Sequence, residues 1–151
     1  CNLAAPGRDG MVYLARVETH WPLRLQLPIG TQVPFHCTAS GKMYLSSLPA
    51  KTQDRLLSAV PLEQRTGNSE TEPARLKQML KDTAERGYAT DDEEFMDGMA
   101  ALAIPICDDQ GRLLPTLSIH APKLRHNITS LEAGLPKLRE AARRLEELLV
   151  G

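Results

Sequence analysis

Between Met99 and Ile106 the chain runs MAALAIPI, eight residues without a charged or hydrogen-bonding side chain. A bilayer span needs about 20 such residues, so this run cannot be one. Its length and its aliphatic character fit a central β-strand buried on both faces. A strand of that kind requires a sheet around it and a layer on each side. The rest of the sequence must supply both.

The first third reads as β. The run NLAA is followed by the turn-rich PGRDG and then by MVYLARVE, which together predict a hairpin. In LRLQLPIG, Leu23, Leu25 and Leu27 alternate with Arg24 and Gln26, a third strand that Pro28 and Gly30 end. A helix is expected to begin near Thr38 to Ser40 and to stop at Pro49, with a short second helix in KTQDRLLSAV. EPARLKQMLKDTAERG predicts a third, capped by Ser69 or Thr71, with Leu76, Met79, Leu80 and Thr83 facing inward and Gly87 at its end. YATDDEEFMDG reads as a charged connector, and two strands follow around DDQG.

A final amphipathic helix is expected over residues 129–150. Leu135, Leu138, Ala142, Leu145 and Leu149 form its stripe, Glu140 pairs with Arg144 outside, and Pro136 kinks the helix or marks its start. The order β-β-β-α-α-α-β-β-α lacks steady alternation. It predicts an α+β fold with an antiparallel sheet and flanking helices.

Chemistry concentrates in VPFHCTASGKMYL, Val33 to Leu45. A phosphate-binding loop is excluded, because His36 stands where its first glycine must be and Met43 where its hydroxyl must be. A Cys-His nucleophile pair is disfavoured, since His36 and Cys37 are neighbours and extended neighbours point apart. A metal-binding or metal-dependent module could draw on His36, Cys37, Asp91 and His120, although none has ligand-like spacing. The three cysteines form no framework, which favours a reducing, cytoplasmic setting. A net charge of -1 offers no attraction for DNA or an anionic membrane.

Three blocks carry a resemblance. GTQVPFHCTASGKMYLSSLP, RGYATDDEEFMDGMAALAIPICDDQG and LSIHAP resemble, in order and at matching spacing, segments of the IclR (isocitrate lyase regulator) family of bacterial transcription factors. The resemblance covers essentially the whole chain and concerns the family's C-terminal effector-binding domain, a fold similar to GAF and profilin-like sensors. It implies that residues 1–151 form a small-molecule sensor lacking its first helix. Operator DNA would be read by an N-terminal winged helix-turn-helix outside this chain, and the assembly would be a homodimer or homotetramer. It implies no enzyme activity and no cofactor.

By the same resemblance the TASGK turn lines the effector pocket. The implied contacts are Ala39, Ser40, Asp91, Met99, Ala101, Ser118 and His120. Ala101 stands where relatives that bind small keto acids often have Cys, and His120 where they often have Ser. Those departures point away from glyoxylate and pyruvate, towards another organic acid, aromatic acids included.

Overall fold

The computed structural model describes residues 1–18 and 27–150. Its strands are β1 (Asn2–Pro6), β2 (Met11–Arg16), β3 (Gln32–Val33), β4 (Ala89–Asp92), β5 (Met99–Cys107) and β6 (Leu113–Pro122). Its helices are α1 (Ala39–Ser46), α2 (Ala50–Ala59), α3 (Pro73–Arg86), α4 (Ile128–Glu132) and α5 (Leu135–Val150). The strands form one sheet in the order β3-β2-β1-β6-β5-β4, with antiparallel pairing throughout the described registers. The expected α+β architecture is therefore the observed one.

β5 is an interior strand, as its apolar run requires, and its side chains divide between two cores. Ala100, Leu102, Ile104 and Ile106 pack with Leu117, Leu131, Leu135, Leu138 and Ala142 beneath α4 and α5. Ala101 and Ala103 face the other way, against Ala39 and Met43 of α1. On that second face a larger cluster joins Met11, Tyr13 and Phe35 to Leu45, Leu57, Leu76 and Leu80, seating α1, α2 and α3. A proline is awkward inside a strand because it cannot donate to the ladder. Pro105 sits where the β5–β6 register shifts, and the nearby Cys107 amide donates to Glu146 of α5 at 2.9 Å.

Several expectations change in detail. The charged connector contains a strand, since Ala89–Asp92 pairs with Ala100–Ala103 along the sheet edge. Alternation is visible there in hindsight, with Ala89 and Asp91 buried and Thr90 and Asp92 more exposed. Neither Ser69 nor Thr71 caps α3. Glu72 is its N-cap without a side-chain bond, Pro73 fills the first turn, and Gly87 closes it at φ 82°. The final helix is two, with Asn127 and Ser130 forming a capping box for α4 and Pro136 marking the start of α5. Leu149 is 56% exposed and leaves the inner stripe. The proposed strand at Leu23–Leu27 lies outside the described residues except for Leu27, which packs on the second core.

One close approach fixes where α1 sits. A Cβ built on Gly41 would lie 2.3 Å from the Phe35 carbonyl oxygen and 2.5 Å from its Cα, both rigid backbone. Gly41→Ala should therefore force α1 off the sheet and cost about 3 kcal/mol or more, at the top of the range for overpacking. Urea denaturation of the two proteins checks this, and an unchanged midpoint would contradict the contact.

Candidate functional site

The resemblance-derived residues come from three separate segments, and the sheet register brings them to one face. Asp91 pairs with Ala101 and Ala101 with His120, while Ala103 pairs with Ser118. Strand partners point to the same side, so Asp91, Met99, Ala101, Ser118 and His120 share the face against which α1 packs. Ala39 and Ser40 form the first turn of α1, which lies against β4, β5 and β6. Five of the seven thus lie on the sheet face that α1 covers, and Ala39 of α1 packs there against Ala101 and Ala103.

Thr38 organises that start. Its hydroxyl accepts the Gly41 amide at 3.0 Å and donates to the Pro34 carbonyl at 2.6 Å. The amides of Ala39 and Ser40 precede the first intrahelical bond, at the positive end of the helix dipole. Ser40 and Ser118 are 3% and 0% exposed, and neither hydroxyl has a hydrogen-bond partner among the described residues. An unpaired buried hydroxyl costs about 1–3 kcal/mol, so two in one layer are a conspicuous feature.

Asp91 is held by the amides of Glu94 at 2.8 Å and Phe95 at 3.4 Å. It therefore caps the turn after β4 as well as facing the layer. Burial, and then the neighbouring Glu94 charge, raise its pKa to about 7. His120 receives the Asn2 amide nitrogen on Nδ1 at 2.8 Å and meets the edge of the Tyr13 ring, with centroids 6.5 Å apart. Burial, then the positive charges of the Cys1 ammonium and Arg16, lower its pKa to about 4. It is therefore neutral near pH 7. Lys42 proves structural. Its Nζ lies 2.7 Å from both carboxylate oxygens of Glu94, with both side chains buried.

The metal reading loses its geometry. His36 Nε2 is engaged by the Glu63 carbonyl at 2.7 Å and His120 by Asn2. Cys37 is a buried thiol raised by desolvation to about 12. Among the described residues no three His, Cys, Asp or Glu side chains gather as a metal would require. A cavity of about 640 Å³ opens between the ends of β1 and β2 and α5, walled by Leu3, Val17, Leu117, Leu138 and Leu145 and bordered by Asn2 and Arg16. Size alone favours it, but the α1 layer is where buried hydroxyls go unpaired.

Sequence reasoning missed Asn2. It is 3% exposed, it lies opposite Ser118 in the register, and its Oδ1 has no partner among the described residues. The available signal was a polar residue opening an otherwise apolar strand, NLAA.

A family model described as bacterial transcriptional regulator IclR, C-terminal, matches residues 1–147. The chain is 37% identical over 142 residues to the probable transcriptional regulator SauR of Cupriavidus necator, covering 94% of this chain and 56% of that protein. It is 35% identical over 144 residues to the HTH-type transcriptional regulator BhcR of Paracoccus denitrificans, covering 95% and 52%. The crystal structure of the Thermotoga maritima IclR superposes with a TM-score of 0.89 at 30% identity, over 98% of this chain and 60% of that one. The chain spans about half the length of the curated relatives it matches.

Two measurements test the site's electrostatics. Asp91 titrates at 3.8 when unfolded and near 7 when folded, so its contribution is greatest below pH 3.8 and is lost as pH rises through 7. His120 runs oppositely. Its folded value lies below the unfolded 6.5, so stability is gained as pH rises from about 4 to 6.5. The melting temperature of Asp91→Asn, less that of the native chain, should therefore grow from pH 4 to 7 and then level off. A difference independent of pH would refute the shift. Separately, Lys42→Met strands the buried Glu94 charge and should cost roughly 3–5 kcal/mol in chemical denaturation. Lys42→Met with Glu94→Leu should recover much of that, and a double variant no better than the single would contradict the pairing.

Proposed function

The chain belongs to the IclR family of bacterial transcriptional regulators, as its C-terminal domain, and from that premise we propose that it senses a small organic acid bound between α1 and the sheet. The family consists of transcriptional regulators, not enzymes, and its C-terminal domain is the effector-binding part. The observation that carries the ligand reading is the pair of buried, unpartnered hydroxyls, Ser40 on α1 and Ser118 on β6, on elements packed against each other.

A carboxylate would satisfy those hydroxyls together with the first amides of α1, whose dipole end favours an anion. Neutral His120 offers one further ring nitrogen. Asp91, part-protonated near neutral pH, can donate to a carboxylate instead of repelling it. Met99 and Ala101 would supply an apolar wall for the body of the acid, aromatic rings included.

Binding would favour one arrangement of the domain or its assembly over another. In a homodimer or homotetramer that preference would alter how paired N-terminal winged helix-turn-helix domains meet operator DNA in the cytoplasm. No helix among the described residues is long and apolar enough to cross a membrane.

A thermal-shift screen of small carboxylates tests this. An acid at 100 times its dissociation constant should stabilise the chain by about 2.7 kcal/mol. Ser118→Ala and Ser40→Ala should move stability and binding in opposite directions. Each removes an unpaired buried hydroxyl, so the unliganded melting temperature should hold or rise, while affinity for the acid falls about tenfold. His120→Ala should weaken binding by more than about 1 kcal/mol. Full affinity in all three variants would place the ligand elsewhere.

A further inference from the structure

The geometry points to Asn2 as a specificity-determining residue of the α1 layer, one that selects an organic acid carrying a hydroxyl group over the same acid without it. This rests on the organic-acid reading above and adds what the rest of the ligand must be.

The argument is an inventory of donors and acceptors. Asn2 lies beside Ser118 in the β1–β6 register, and both are almost fully buried. Its Nδ2 is committed, donating to His120 Nδ1 at 2.8 Å. With the amide oriented so that Nδ2 faces the ring, Nδ1 is the acceptor and the ring proton of neutral His120 lies on Nε2. Asn2 Oδ1 therefore remains as a pure acceptor, buried and without a partner among the described residues. The Ser118 hydroxyl next to it does not fill the role, being itself without a hydrogen bond.

A bare carboxylate has only acceptor atoms at neutral pH. It can satisfy Ser40, Ser118, the α1 amides and His120 Nε2–H, but it offers nothing to Asn2 Oδ1. The missing element is a donor on the ligand. An ammonium group is disfavoured, because the Cys1 ammonium and the Arg16 guanidinium already act on His120 as positive charges, and the helix end is positive as well. A neutral hydroxyl remains, accepting from a nearby donor and donating to Asn2 Oδ1. Sites built to hydrogen-bond a ligand hydroxyl discriminate strongly against analogues lacking it, because the site's own buried atom is then left unpaired.

Matched pairs of acids test this by isothermal titration of the chain: lactate with propionate, malate with succinate, 4-hydroxybenzoate with benzoate. In at least one pair the hydroxylated acid should bind about tenfold tighter or more. Asn2→Leu should abolish that preference, lowering the affinity of the hydroxylated member more than that of its partner. Asn2→Asp, which keeps an acceptor oxygen in place, should retain the preference even as its charge and the lost donor to His120 weaken both members. Equal binding within every pair overturns the inference while leaving the organic-acid reading intact, and so does a preference that survives Asn2→Leu or is lost in both variants. Failure of all six acids to bind overturns both. The pair comparison in the native chain requires no variant to fold.

Discussion

The bond between Lys42 and Glu94 is the contact on which the α1 side of the molecule depends. A buried ammonium and a buried carboxylate each lose hydration, and only close, two-pronged contact offsets that loss. Here both carboxylate oxygens lie 2.7 Å from Nζ. The pair ties α1 to the turn after β4, and the turn is then assembled around Glu94. Its amide goes to Asp91, and its carbonyl receives the hydroxyls of Thr66 and Ser69. Its neighbour Glu93 adopts a left-handed φ of 56°, uncommon outside glycine, while its carboxylate accepts the Gly98 amide. One ion pair thus sets the height of the helix above the sheet, the position of Asp91 and the course of the loop between α2 and α3.

Much of this architecture could be read from residue spacing. The apolar run at Met99–Ile106 demanded an interior strand, and the leucine periodicity after Leu135 demanded a helix over it. Those signals are local: each residue reports the polarity of its own surroundings. The β4 strand was harder, because DDEE suggests a solvated loop, whereas Asp91 is buried and held by the amides of the turn that follows. The caps of α3 and α4 were hard for a related reason. Several adjacent Ser, Thr and Asn residues could each cap a helix, and only the path of the chain selects one.

The candidate site was legible only through resemblance. Nothing in the spacing of Ser40, Asp91 and Ser118 says that they meet. They meet because β4, β5 and β6 are neighbours in a fixed register and α1 lies across them. Asn2 stayed hidden even so, since a lone asparagine in a strand does not disclose whether its oxygen is satisfied. Lys42, in the SGK turn, belongs to the frame and pairs with Glu94. A cation's function depends on what stands opposite it, and Glu94 is 52 residues away along the chain.

The division of β5 and β6 into two faces has a mechanical side. Ser118 and His120 face α1, while Leu117 and Ile119, the residues interleaved with them, pack into the core under α5. The two layers are separated by the thickness of one backbone, with no intervening cushion of side chains. Whatever displaces Ser118 must drag Leu117 and Ile119 with it, because all three ride on the same pleat. β6 acts as a shared wall, and pressure on its inner surface is felt at once in the packing of the C-terminal helix.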